Sequence, residues 1–130
     1  MHDLILHNGR ILPASSTVLA PGQVGLLSGW GVFSTIRVAG GVLFAWERHW
    51  ARMKHDAELL RVPFPPDAAP IKESLERLID ANQAHTGTLR VVVVRNRGGY
   101  WEGPGIERGY DVIGLVTKLK DWGEGTRLAV

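Results

Sequence analysis

Two adjacent glycines, Gly40 and Gly41, separate one run of β-branched and aromatic residues (32–38) from another (42–46). A Gly-Gly pair between two strand-like runs specifies a tight hairpin. The second run passes without a break into a helical pattern over 47–61. There Trp46, Trp50, Met53, Ala57 and Leu60 recur at helical spacing and form one apolar face. Pro63, Pro65 and Pro66 stop that helix. Upstream, Gly29 and Gly31 flank Trp30 and predict a tight turn with close backbone approach.

The rest of the chain follows the same logic. Residues 4–6 and 11–12 read as a hairpin joined at Asn8-Gly9, with Pro13 ending the second strand. Residues 14–25 contain Pro21-Gly22 and read as a loop, and 26–30 as a short helical turn. A second helix is expected over 70–82, with Ile71, Leu75, Leu78 and Ile79 on one side. After a turn at 85–87, residues 89–94 are nearly continuous apolar, the pattern of a strand covered on both faces. Residues 96–108 are glycine-rich and irregular, and 110–119 form a final strand. Residues 121–125 read as a linker and 126–130 as the opening of a further strand.

At 130 residues the length predicts one domain, and 45% hydrophobic with 22% charged residues is ordinary for a globular chain. A net charge of +2 gives no reason to expect nucleic acid or an anionic membrane as partner. Arg90, Arg95, Arg97, Tyr100, Trp101 and Arg108 cluster in sequence, but Glu102 and Glu107 dilute them, so no nucleic-acid partner is expected. No cysteine is present, which leaves no disulfide framework and no thiolate metal site; no metal is expected, and a reducing cytoplasm fits. The first residues do not form a signal peptide, since Asn8-Gly9 interrupts the apolar run, and no run is long enough to span a bilayer.

Gly29-x-Gly31-x-Phe33, the hairpin, and then His49-x-x-Arg52-Met53 together resemble the class IV aminotransferases, the pyridoxal-phosphate enzymes of fold type IV. That family includes branched-chain and D-amino-acid aminotransferases and aminodeoxychorismate lyase. The likeness extends over about residues 1–120, and the segment from Leu89 to Trp101 is similar to the strand and glycine-rich loop of the lyase and its relatives. The resemblance implies an α+β domain, an antiparallel sheet with two helices packed on one side. Residues 1–120 would be the family's small N-terminal domain, 121–125 the interdomain linker and 126–130 the first strand of a C-terminal domain.

It also implies roles. Arg52 would grip the phosphate of pyridoxal 5'-phosphate, for which a permanently charged guanidinium fork is well suited. The competing assignment is an exposed arginine paired with Asp56 at i+4. His49 would be a packed histidine that orients the Arg52 turn. Phe33 would shape the substrate wall or else fill the core, with Thr35 and Arg37 on its face by period two. A buried Arg37 would need a carboxylate partner. Arg95 and Arg97 would meet a substrate carboxylate, some such contacts crossing a homodimer, or else belong to a solvated loop; Arg90, near the strand start, is passed over. Many family members carry acidic residues where this chain has Gln23, Trp30 and Ser34, departures that bear on substrate identity and not on the phosphate position.

The Schiff-base lysine and the carboxylate partner of the pyridine nitrogen are expected beyond Val130. Lys54, Lys72, Lys118 and Lys120 do not match the lysine's context. The expectation is therefore a truncated, proteolysed or split polypeptide, inactive alone. The complete enzyme would be a cytoplasmic homodimer acting on an amino acid, a 2-oxo acid or an aminodeoxychorismate-like substrate. The alternative is a non-enzymatic binding module that keeps the fold.

Overall fold

Asn8 and Gly9, both at positive φ, turn β1 (Leu4–His7) into β2 (Arg10–Pro13), as the sequence predicts. The computed structural model describes residues 1–118; the linker expected at 121–125 and the strand expected at 126–130 lie outside the described residues. The other elements are α1 (Val24–Ser28), β3 (Gly31–Ala39), β4 (Val42–Leu43), α2 (Trp46–Leu60), α3 (Ala68–Asn82), β5 (Gly87–Arg95) and β6 (Tyr110–Lys118). One antiparallel sheet results, in the order β2-β1-β6-β5-β3-β4. Helix α2 packs on β3, and α3 on β1 and β6, so both long helices cover the same face.

That face holds the core. Leu6, Ile36, Val38, Leu89, Val91 and Val116 project from the strands against Met53, Ala57, Leu75, Leu78 and Ile79 of the helices. The α+β architecture expected from sequence is therefore the one observed, with one addition. Helix α1 sits on the opposite face over Val94, and it starts two residues earlier than the sequence suggests.

Three local expectations need correction. The strand after Gly41 ends at Leu43, because Ala45 takes a left-handed conformation that turns the chain into α2 at Trp46. Leu60 is half exposed and does not belong to the apolar face of α2; buried Val62 takes that place after Arg61 ends the helix. β5 is fully covered only on its helix side, by Leu89, Val91 and Val93, whereas Arg90 stands exposed on the other face and Val92 is only partly covered. The long apolar run thus reflects one buried face plus a Val94 sealed by α1.

Gly29 and Gly31 divide the work of the turn. Gly29, at φ 64°, closes α1 in the left-handed region that favours glycine. A Cβ on Gly31 would lie 2.7 Å from the Val93 carbonyl oxygen, so β3 reaches β5 this closely only without a side chain.

Asp111 ties four segments together beneath α1. It is fully buried and accepts hydrogen bonds from Asn8 Nδ2 (2.7 Å), Gln23 Nε2 (2.9 Å) and Arg108 Nε (2.6 Å). Gln23 Nε2 also donates to Asn96 Oδ1 at 2.8 Å, which brings in the end of β5. Burial alone would raise this carboxyl's pKa. The bonds from Arg108, Asn8 and Gln23 outweigh that and hold it well below the ordinary carboxylate range. Asp111→Ala should lower unfolding stability by about 3 kcal/mol, since it strands buried donors. Because the folded carboxyl binds its proton more weakly than the unfolded one, its contribution is complete above about pH 5 and is lost as acid titrates the unfolded value and below. Urea unfolding across pH 3–7 should show that acid loss in the native protein and a flatter profile in Asp111→Asn.

Candidate functional site

β4 pairs only with Val38 and Ala39, so the outer edge of β3 from Gly31 to Ile36 has no strand neighbour among the described residues. Alternation along β3 sends Phe33, Thr35 and Arg37 to the open face and Ser34 and Ile36 to the helix face. Helix α2 runs beneath this edge and carries the His49-x-x-Arg52 pair.

Under the sheet, Arg52 Nη2 lies 2.6 Å from Ser34 Oγ, and Ser34 Oγ lies 2.6 Å from His49 Nδ1. Ser34 is 1% exposed, so its oxygen sees little water. Burial, then the charges of Arg52 and Arg48, lower the His49 pKa, which keeps the ring neutral near pH 7. With the His49 proton on Nε2, the bonds run in one direction: Arg52 donates to Ser34, and Ser34 donates to the unprotonated Nδ1. Arg52 makes no ion pair with Asp56 or with any other described carboxylate. Its Nε and Nη1 form no hydrogen bond to a described residue. Ser34, read from sequence only as a departure bearing on substrate identity, is the group to which Arg52 donates.

Arg90 joins the set across the sheet. The register places Thr35 opposite Arg90 and Phe33 opposite Val92. Arg90 Nε reaches Thr35 Oγ1 at 3.3 Å, and its guanidinium lies 4.7 Å from the centre of the Phe33 ring. Phe33 is 57% exposed and so is not a core aromatic. Arg37 is exposed beside them, and the carboxylate partner required for a buried arginine is not needed. Arg90, passed over in the sequence for lying near the strand start, is brought beside Phe33 by strand register, since Thr35 and Arg90 pair.

Arg95 and Arg97 occupy different surroundings. The Arg95 guanidinium lies 3.9 Å from the centre of the Trp30 ring and donates to the carbonyls of Arg61 (3.1 Å) and Arg97 (2.7 Å). Trp30 Nε1 donates to the Leu60 carbonyl at 2.7 Å. Together they cap the C-terminal carbonyls of α2, where positive charge is favourable. Arg97 is exposed, 3.8 Å from Glu102, whose other oxygen accepts the Gly98 N–H. Both arginines border a recess of about 400 Å³ with Pro63, Gly98, Glu102 and Gly109. The fold thus gathers Phe33, Thr35, Arg37 and Arg90 on the open face and sets Arg52 with Ser34 and His49 on the helix side. Arg95 and Arg97 stand at the far end of β5.

A donor fork anchored at one end, free of carboxylates and flanked by a neutral histidine suits a phosphate dianion. A family model described as amino-transferase class IV matches residues 31–120. D-alanine aminotransferase of Bacillus licheniformis is 31% identical over 93 residues, covering 72% of this chain and 33% of that enzyme. Aminodeoxychorismate lyase of Bacillus subtilis (strain 168) is 32% identical over 88 residues, covering 68% of this chain and 30% of that enzyme. The chain therefore spans about one third of the length of these curated relatives. The branched-chain amino acid aminotransferase of Escherichia coli shares the fold, with a TM-score of 0.79 at 21% identity over 94% of this chain and 41% of that one.

The neutral state of His49 makes the anchor acid-sensitive. Its folded pKa lies below 6.5, so the unfolded chain takes up this proton first and acid favours unfolding. The associated stability is present above about pH 6.5 and declines as pH falls through the folded value. Thermal unfolding between pH 8 and pH 5 should show this loss in the native protein, and His49→Gln should remove that portion of it.

Proposed function

Since this chain belongs to the class IV aminotransferase family, we propose that it supplies the phosphate-gripping part of a pyridoxal 5'-phosphate site in an enzyme that acts on an amino acid, a 2-oxo acid or an aminodeoxychorismate-like compound. Enzymes of this family use pyridoxal phosphate. When bound, that cofactor supplies an electron sink for chemistry at the carbon bearing the substrate's amino group. Every other part of the reading concerns this chain's own side chains.

Arg52 would hold the phosphate; its Nη2 is on Ser34, and its Nε and Nη1 have no hydrogen-bond partner among the described residues. His49 acts as a neutral prop for this turn and moves no proton of the substrate. Phe33 forms one wall of the substrate space, beside Thr35, and Arg37 and Arg90 offer cationic partners for a substrate carboxylate on the same face. Arg95 and Arg97 serve the carboxylate end from the loop after β5. Arg95 donates Nε and Nη1 to backbone carbonyls, which makes Arg97, set only against Glu102, the freer of the two. The neighbouring subunit of a homodimer closes the site. The reactive lysine comes from outside residues 1–130, and these residues alone do not catalyse the reaction.

One observation carries this reading: Arg52 stands on the family's motif, is fixed at one arm and lacks a carboxylate partner among the described residues. Among the described residues, no helix is long and apolar enough to cross a membrane.

In the intact protein, Arg52→Ala should raise the dissociation constant for pyridoxal 5'-phosphate about tenfold to a hundredfold, the loss expected for charged hydrogen bonds. Fluorescence titration with the cofactor measures it. An unchanged constant in a folded variant would remove Arg52 from the phosphate site.

A further inference from the structure

We propose that Ser34 is a positioning residue for Arg52: its hydroxyl fixes one arm of the guanidinium beneath β3 so that the remaining N–H donors stay turned to a phosphate dianion. The inference rests on the phosphate reading above and assigns this buried serine a role in it. Ser34 Oγ sits 2.6 Å from Arg52 Nη2 and 2.6 Å from His49 Nδ1, on a side chain 1% exposed. Its single proton is spent on the histidine, so the lone pairs that remain face Arg52. One Arg52 arm thus has Ser34 Oγ as its near acceptor, with His49 Nδ1 farther off at 3.5 Å.

The choice of group matters for charge. A carboxylate in this place would also hold the arginine, but as an ion pair that offsets part of its positive charge. A hydroxyl orders the same guanidinium and leaves its charge intact. Arginine otherwise loses substantial rotamer freedom when it binds a ligand, and prior anchoring removes part of that loss. The groups around the anchor agree with this. Arg48 and Arg52 on α2 are the charges that act on His49, and Ser34 is its partner from the sheet. Among the described residues, no carboxylate forms an ion pair with either Arg52 or His49.

The test compares Ser34→Ala, Ser34→Thr and Arg52→Ala in the intact protein, with two readouts. Without ligand, the Arg52 Nε–Hε resonance in nitrogen-15 NMR should be ordered in the native protein and in Ser34→Thr, and dynamically averaged in Ser34→Ala. With pyridoxal 5'-phosphate as probe, Ser34→Ala should weaken binding about threefold to tenfold, the cost of ordering one rotamer-rich side chain on binding, and Ser34→Thr should restore it. A folded Ser34→Ala protein with an ordered Arg52 resonance and native affinity overturns the proposal. If the threonine variant does not fold, His49→Ala replaces it, because it deletes the acceptor that orients the hydroxyl. Averaging of Arg52 is then expected, and an ordered resonance counts against the proposal. Native affinity in Arg52→Ala would overturn the phosphate reading instead, and the ligand-free resonance would still decide the role of Ser34.

Discussion

The pairing of β3 with β5, eight residues deep from Gly31 opposite Val94 to Val38 opposite Gly87, is the constraint on which the rest of the molecule turns. Side chains alternate along a strand, so a slip of one residue would exchange the two faces. Ser34 would leave Arg52 and His49, and Phe33 would enter the core. Gly31 guards the register at one end, because a side chain there collides with the Val93 carbonyl. At the other end, the Gly40-Gly41 reversal and the left-handed Ala45 turn the chain directly into α2. The helix is thereby committed to lie under the strand it has just left, which is how His49 and Arg52 come to face Ser34.

Four arginines near this edge illustrate how partner and burial divide one residue type into distinct roles. Arg52 is held by a neutral hydroxyl and keeps its charge. Arg95 donates Nη1 to the Arg61 carbonyl at the end of α2 and Nε to the Arg97 carbonyl, and lies over Trp30, which makes it part of the scaffold as observed. Arg97 is an exposed cation with a loose acidic neighbour. Arg90 lies over an exposed aromatic ring on the face opposite Arg52. The same guanidinium thus caps a helix, covers a ring or holds a buried hydroxyl, depending on what the fold sets against it.

Level with Val94 and Gly31 in the register, Asp111 shows how a buried charge is tolerated. Its desolvation is offset by three hydrogen-bonded partners from a turn, a helix N-terminus and a neighbouring loop residue. These contacts join the β1–β2 turn to α1 and so brace the glycine turn that opens β3. The brace and the anchor lie at separate places in the sheet, and the strand between them connects the two.

Much of this was legible in the residues. Asn8-Gly9, Gly40-Gly41 and the proline block announced the turns, and helical spacing announced α2 and α3, because these signals depend on local dihedral preferences and on periodicity. His49 and Arg52 stood out for a different reason, their likeness to the His-x-x-Arg motif of the class IV aminotransferases on a predicted helix. Leu89 to Val94 misled, since an apolar run does not reveal which face a neighbour covers. Ser34 and Arg90 were not recognisable as partners of Arg52 and Phe33, for they lie 18 and 57 positions away in the chain. The sequence by itself determined the elements, the turns between them and the helix that bears Arg52. Only the tertiary structure decided which side chains meet, because strand register and helix docking are set by the summed burial of the whole core, which no local stretch encodes.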